Sequence, residues 1–193
     1  MQGEVNSYAL DLCKQYVQDV RSYHRRYFGI DFPYWYSVAQ LEKESSCRHN
    51  LLSSDRVGSE GLAQITYSLW KSVLISEGIN EIKTIPNHLK AQAYINKYYY
   101  DRLKFCGKKL WAMYQAYNGG LLIEKECRLS GSSNRTEARK FCKRKDVCIK
   151  FKGKVCVQYK NACDINYEYS HIIEKYSKKY NMLDIVSTGF IFD

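Results

Sequence analysis

Residues 41–64 read LEKESSCRHNLLSSDRVGSEGLAQ, a helix end followed by a polar loop and a glycine-rich return. Apolar side chains around its start, including Val38 and Leu41, recur at three- and four-residue steps. That spacing predicts one face of an α-helix over 34–44. The loop ends in a Gly-x-x-Gly segment, and glycine lets the backbone approach a neighbouring group closely. The stretch therefore predicts an acid at a helix end, beside a tight loop.

The rest of the chain is predicted to be mainly helical. Periodic apolar residues between glycines and prolines indicate further helices at 5–28, 67–76, 86–105, 108–118, 134–143 and 164–179. A polar loop over 50–60 and a short helical turn over 61–65 separate two of them. Two runs of alternating β-branched residues, 147–151 and 155–159, predict a β-hairpin. A three-residue turn in this hairpin would place Cys148 opposite Cys156.

Length and composition favour one domain. A chain of 193 residues with 45% hydrophobic content can form a single core, so we assign 1–193 to one domain. Five of the eight cysteines lie between 121 and 163, together with a basic cluster. We therefore treat 121–163 as a Cys-rich insertion that contains the hairpin. No run of about 18 apolar residues occurs, which predicts that no segment spans a membrane.

The net charge of +10 indicates that the surface prefers polyanions. Nucleic acid is one class of polyanion. The bacterial wall is another, because its peptides carry carboxylates and its teichoic polymers carry phosphates. Charge by itself does not choose between the two.

The eight cysteines allow three interpretations: disulfides, free buried thiols or a metal site. Their positions are 13, 47, 106, 127, 142, 148, 156 and 163, and no Cys-x-x-Cys pair occurs among them. Zinc sites usually contain such closely spaced pairs, so a metal is the least favoured interpretation. The even number and the density favour disulfides, which would place the protein outside the reducing cytoplasm.

The N-terminus does not have the pattern of a secretory signal peptide. Residues 1–6 read MQGEVN and lack a basic start followed by an apolar run. Either a leader precedes this sequence, or the protein reaches an extracytoplasmic location by another route. That location would be the periplasm, the cell surface, or a phage particle or lysis event.

Glu44 is the main candidate for chemistry. It follows the apolar stripe of its helix by three residues, so it should be partly buried, and partial burial raises the pKa of a carboxyl group. A protonated carboxylic acid can donate its proton to a glycosidic oxygen. The plain alternative is a solvated glutamate at a helix end. Glu42 faces elsewhere and is not expected to work beside Glu44.

A second carboxylate is needed by ordinary glycosidases. In this stretch Asp55 and Glu60 are the other candidates, and both are equally explained as surface charges of a loop. Farther along, Tyr117 and Asn118 precede two glycines at a predicted helix end. A tyrosine hydroxyl near the acid could orient it, whereas the plain alternatives are core packing for Tyr117 and helix termination for Asn118.

Taken together, these blocks resemble the soluble lytic transglycosylase family, whose members cleave the glycan strands of bacterial peptidoglycan. The resemblance rests on the order Glu44-Ser45, Gly58 to Gln64, Ala91 to Tyr94 and Ala116 to Gly120. It covers about residues 33–120 and the last helix. The family usually carries a Tyr-Val-type pair on that helix, and the residues from Tyr169 to Ile173 look similar. Cys47 stands where the family commonly has an aromatic residue, and the insertion has no counterpart in the family. The resemblance implies a mainly α, lysozyme-like fold.

The resemblance also implies a mechanism and a site. Members of the family use one acid and form a 1,6-anhydro sugar without water, which would make Glu44 the only acid/base. The other implied residues contact the substrate: Ser45, Ser53, Gly61, Gln64, Tyr117 and Asn118, with Ser54 as the alternative to Ser53. No cofactor and no metal are implied. We expect a monomer whose partners are peptidoglycan strands and anionic wall polymers, with nucleic acid less favoured.

Two other functions stay open at this point. The chain could be a hydrolytic muramidase that activates water with Asp55 as the second carboxylate. It could also be a non-catalytic protein that binds the cell wall or nucleic acid through the basic insertion. The first alternative predicts reducing ends in the product, and the second predicts that Glu44 is dispensable.

Overall fold

A computed structural model describes residues 12–53, 58–181 and 192 of the chain. These residues are mainly α-helical, with one small antiparallel β-hairpin, which confirms the predicted fold class. The lysozyme-like arrangement itself stays a prediction. No helix among the described residues is long and apolar enough to cross a bilayer.

The chain separates into two compact units. The first comprises Met1–Lys97 and Ile173–Phe190, and the second comprises Tyr98–Ile172 and Ile191–Asp193. The predicted Cys-rich insertion, 121–163, lies within the second unit. The assignment of 1–193 to a single domain stays a prediction.

Among the described residues, four helices lie mainly in the first unit. They are α1 (Val17–Phe28), α2 (Trp35–Ser45), α3 (Tyr67–Ser76) and α4 (Ile85–Tyr100), of which α4 runs on into the second unit. The prediction for α3 matches its bounds, and that for α2 is shifted by one residue. Residues 5–11 of the first predicted helix lie outside the described residues.

Helix α2 lies at the centre of the first unit, because eight of its eleven residues are buried. Several of these buried residues are polar, and each finds a partner. Gln92 Nε2 donates to the backbone oxygen of Ser37 at 3.0 Å and to Gln40 Oε1 at 2.8 Å. Asn96 Nδ2 donates to the same Gln40 oxygen at 3.0 Å. These hydrogen bonds between buried amides link α2 to α4.

The second unit contains the rest of the helices and the hairpin. Its helices are α5 (Leu110–Gly119), α6 (Leu122–Ser130), α7 (Arg135–Arg139) and α8 (Ala162–Ser177), the last of which ends in the first unit. Residues Leu110–Ala116 of α5 are all buried, so this helix forms the core. Asn134 caps α7 by accepting from the backbone N–H groups of Thr136 and Glu137.

The sequence pattern does not predict helix α6. Its buried residues are Ile123, Glu126 and Cys127, so only one of the three is a conventional apolar residue. The Glu126 carboxylate is buried because Tyr167 OH donates to it at 3.0 Å and the Arg144 guanidinium pairs with it at 3.0 Å. The apolar periodicity of α6 is therefore incomplete in the sequence, because the charged residue Glu126 occupies its buried face as part of an ion pair that forms only in the folded chain.

The hairpin is formed by β1 (Asp146–Lys152) and β2 (Val155–Asn161). The strands leave only Gly153 and Lys154 between them, so the turn has two residues rather than three. Cys148 lies opposite Tyr159 instead of Cys156, and the register shifts twice between Cys148 and Phe151. A disulfide nevertheless joins Cys148 to Cys156.

All eight cysteines form disulfides, which confirms that interpretation over free thiols and a metal site. The pairs are Cys13–Cys47, Cys106–Cys127, Cys142–Cys163 and Cys148–Cys156. The first pair lies in the first unit and the other three lie in the second. Four disulfides are typical of proteins that work in an oxidising environment.

Candidate functional site

Glu44 occupies the next-to-last position of α2 and is half-buried. The helix ends immediately after it, because Ser46 and Cys47 adopt left-handed conformations with φ of 52° and 59°. The N–H groups of these two residues bond to the carbonyls of Glu42 and Leu41 and so satisfy the end of the helix. The Cys13–Cys47 disulfide then ties this end to the N-terminal part of the first unit.

Ser45 connects the end of α2 to the glycine-rich loop. Its side chain is buried, and its Oγ donates to the backbone oxygen of Leu62 at 2.8 Å. A second contact, to the Leu41 oxygen in the same helix, is longer at 3.2 Å. The hydroxyl therefore acts as a tether between Glu44's helix and the loop, and its predicted contact with substrate stays a prediction.

The loop after α2 is held by its own backbone and by Gln64. Gly61 N–H donates to the Leu51 oxygen at 2.8 Å, and Glu60 forms isolated antiparallel bridges with Leu52 and Ile65. The Gln64 amide Nε2 donates to the oxygens of Leu51 at 3.0 Å and Gly61 at 2.9 Å. Gln64 thus braces the two sides of the loop, a role that sequence reasoning did not assign to it.

His88 explains why residue 61 is glycine. A Cβ atom at Gly61 would lie 2.4 Å from His88 Cε1, and the φ of Gly61 is +74°. The close approach predicted for this glycine is therefore made, among the described residues, by a histidine ring on α4. Its Nε2 accepts the Ala63 N–H at 3.0 Å, while its Nδ1 donates to the Ile82 oxygen at 3.0 Å.

Sequence reasoning missed His88. Burial lowers the pKa of its ring, in agreement with a neutral imidazole that uses one nitrogen as donor and the other as acceptor. Nothing in the local sequence, a histidine near the start of a helix, distinguishes it from a surface residue. Its partners on the loop are more than twenty residues away in the chain.

An open cleft of about 250 Å³ lies against this loop in the first unit. Its lining comprises His49, Asn50, Leu51, Leu52, Glu60, Gly61, Ile82 and Lys83. Two residues considered in the sequence analysis are among them: Gly61, and Glu60 as a candidate second carboxylate. The cleft therefore touches the predicted site at the loop and not at Glu44.

Ser53 is the last described residue before a gap in the described part of the chain, and Asp55 falls in that gap. Ser53 is half-buried, and its N–H donates to the Ser59 oxygen at 2.9 Å. Ser54 and Asp55 lie outside the described residues. The choice between Ser53 and Ser54, and the role of Asp55, stay predictions.

Tyr117 and Asn118 belong to the second unit, in the last turn of α5. Tyr117 is half-buried and Asn118 is exposed. The side-chain amides of Asn118 and the buried Asn166 on α8 hydrogen-bond at 2.6 Å. Gly119 permits this packing, because a Cβ atom there would lie 2.2 Å from Asn166 Nδ2. Glu44 and this pair therefore belong to different units.

Glu42 is engaged in a different set of contacts from the loop. Its side chain is buried, and it accepts hydrogen bonds from Lys179 Nζ at 2.6 Å and Tyr180 OH at 2.7 Å. Burial and the neighbouring carboxylate raise the pKa of the Tyr180 phenol. The carboxylate thus joins α2 to the segment that follows α8, within the first unit.

No family model, no curated protein and no solved structure matches the chain.

Proposed function

We propose that the chain is a peptidoglycan lytic transglycosylase. It would cleave the β-1,4 bond between N-acetylmuramic acid and N-acetylglucosamine. The observation that carries the proposal is the Ser45 hydrogen bond to Leu62 at 2.8 Å. This bond holds the helix end with its half-buried glutamate against the Gly58–Gln64 loop, and those are the two blocks on which the family resemblance mainly depends.

In the proposed reaction Glu44 acts first as an acid and then as a base. Its carboxyl proton passes to the oxygen of the glycosidic bond, and the bond to C1 of the muramic acid breaks. The N-acetyl group of the same sugar supports the cationic centre at C1. The Glu44 carboxylate then takes the proton of the C6 hydroxyl, whose oxygen bonds to C1. A 1,6-anhydro sugar forms, no water is consumed, and Glu44 regains its proton.

Glu42 is not a candidate for a second catalytic carboxylate in this proposal. Its two described partners, Lys179 and Tyr180, hold it as part of the buried structure of the first unit. A mechanism with a single acid needs no second carboxylate, whereas the hydrolytic alternative depends on Asp55.

The charge and the disulfides support the same proposal. A net charge of +10 would favour association with the anionic cell wall. Four disulfides agree with work in the periplasm, at the cell surface or during phage-mediated lysis, where oxidising conditions hold.

The decisive experiment is mass spectrometry of the muropeptides that the purified protein releases from sacculi. Anhydro-muropeptides are expected, and reducing ends in their place would instead identify a hydrolytic muramidase. Glu44→Gln should abolish wall clearing, because the amide has no acidic proton to donate. Asp31→Asn, a matched carboxylate-to-amide change at an exposed position, should clear walls like the wild type.

Two controls separate loss of chemistry from loss of structure. The Glu44→Gln protein should keep the circular dichroism spectrum and the urea midpoint of the wild type. Wall clearing that persists in a folded Glu44→Gln protein would refute the mechanism in which Glu44 is the acid.

A further inference from the structure

The β-hairpin of the second unit exposes an unusual number of apolar side chains. Six of them are at least 42% exposed: Val147, Ile149, Phe151, Val155, Val157 and Tyr159. Single exposed apolar residues are common on protein surfaces and need no explanation. Six on one short hairpin, three from each strand, are more than scattered single residues, and exposed apolar groups gathered in one element often mark a surface that contacts something else.

The same hairpin is strongly cationic. Residues 147–160 contain four lysines and no acidic residue. Lys160 forms an ion pair with Glu168 at the base of the hairpin. The other three, Lys150, Lys152 and Lys154, are exposed along the strands and in the turn. The hairpin therefore combines exposed apolar groups with positive charge.

Covalent and polar contacts hold the hairpin in this form. The Cys148–Cys156 disulfide crosslinks the strands, and Asn161 Nδ2 donates to Asp146 Oδ1 at 3.0 Å where the strands begin and end. The Cys142–Cys163 disulfide closes the chain just outside the two strands. The conformation that exposes the apolar side chains is thus preorganised, which lowers the entropic cost of binding.

The combination of charge and apolar groups selects among partners. A polyanion such as nucleic acid would attract the lysines but would give the valines and the isoleucine no apolar phase to enter. An anionic bilayer offers negative headgroups and, a few ångströms deeper, the acyl boundary. We infer that the hairpin is a membrane-surface anchor that inserts its apolar side chains into the interface of an anionic bilayer. This activity is separate from glycan cleavage.

Cosedimentation with vesicles tests the inference directly. The full-length, oxidised protein should bind vesicles of phosphatidylglycerol and leave vesicles of phosphatidylcholine largely unbound. Each lysine near an anionic surface contributes about fivefold to partitioning, so Lys150→Gln with Lys154→Gln should weaken binding about 25-fold. Val155→Ser with Val157→Ser should weaken it roughly tenfold at unchanged charge, because less apolar surface leaves water.

The control changes one exposed leucine and one exposed lysine elsewhere. Leu69→Ser with Lys71→Gln, both on α3, should reduce binding by much less than either hairpin variant. Circular dichroism and a thiol assay verify that every variant is folded and oxidised. Glu44→Gln should bind vesicles like the wild type, so failure of the glycan-cleavage proposal would leave this result intact.

Three outcomes would overturn the inference. The first is equal binding to both kinds of vesicle. The second is no binding to phosphatidylglycerol at low salt. The third is binding that depends on the lysines but not on the valines, since that pattern describes attachment to a polyanion without insertion.

Discussion

Acidification should destabilise the first unit, because two of its histidines are buried in the neutral form. His24 on α1 is fully buried, and burial lowers its pKa to about 3. Its Nδ1 donates to the Val20 oxygen at 2.9 Å, so its Nε2 accepts from Asn96 Nδ2, 3.2 Å away. A second proton would place an N–H on Nε2 against the Asn96 donor. His88 has the same one-donor, one-acceptor arrangement.

The size of the effect follows from the pKa difference between the folded and unfolded chain. His24 has its ordinary pKa of 6.5 when unfolded and about 3 when folded, so between these values only the unfolded chain binds the proton. The contribution to stability is complete above pH 6.5 and falls by about 1.4 kcal/mol for each pH unit below it. Between pH 6.5 and pH 4.5 the loss of stability amounts to about 2.7 kcal/mol, a large share of the stability of a typical domain.

Urea unfolding, followed by circular dichroism with the disulfides intact, measures this slope. Carboxylates also titrate in the same range, so the informative quantity is the difference between the wild type and His24→Gln. The variant should be less stable at neutral pH and should lose less stability on acidification, by about 1.4 kcal/mol per pH unit. His49→Gln, at an exposed histidine, should keep the wild-type slope. Equal slopes for His24→Gln and the wild type would refute the reasoning.

Two further substitutions test the contacts around the candidate site. Gly61→Ala should destabilise the protein by more than about 2 kcal/mol in urea unfolding, because the new Cβ overlaps the His88 ring. Gly58→Ala has a similar positive φ but no atom of the described residues within 4 Å, so it should cost only about 1 kcal/mol. An equal loss in both glycine variants would rule out the His88 overlap as the cause. Tyr180→Phe should cost about 1.5–3 kcal/mol by removing a hydrogen bond to the buried Glu42 carboxylate. Tyr159→Phe, at an exposed tyrosine, should be neutral within error, and a neutral Tyr180→Phe would argue against that bond.

Local sequence predicted the elements whose signals are local. Helix α3, at Tyr67–Ser76, matched its prediction because its apolar residues and its flanking residues lie within one short window. The hairpin was predicted from alternating β-branched residues around Gly153. Its register was not predicted, because two irregularities in β1 between Cys148 and Phe151 shift the pairing, and its turn has two residues instead of three.

Contacts between distant residues were beyond the reach of the same reasoning. Eight cysteines allow 105 pairings in principle, and the sequence pointed to only one of the four pairs, Cys148 with Cys156, through the predicted hairpin. Helix α6 escaped prediction because its buried face includes Glu126, which becomes tolerable there only when Arg144 and Tyr167 reach it.

The sequence by itself determined a mainly helical chain with a cationic, Cys-rich hairpin, and the order of Glu44, Gly61 and Gln64 along it. Those properties depend on residues a few positions apart. Only the tertiary structure decided that Gly61 makes room for His88, that Ser45 tethers the helix end to Leu62, and that Glu42 is satisfied by Lys179 and Tyr180. The physical reason is that burial and hydrogen-bond partners are set by packing between segments far apart in the chain, which no local pattern encodes.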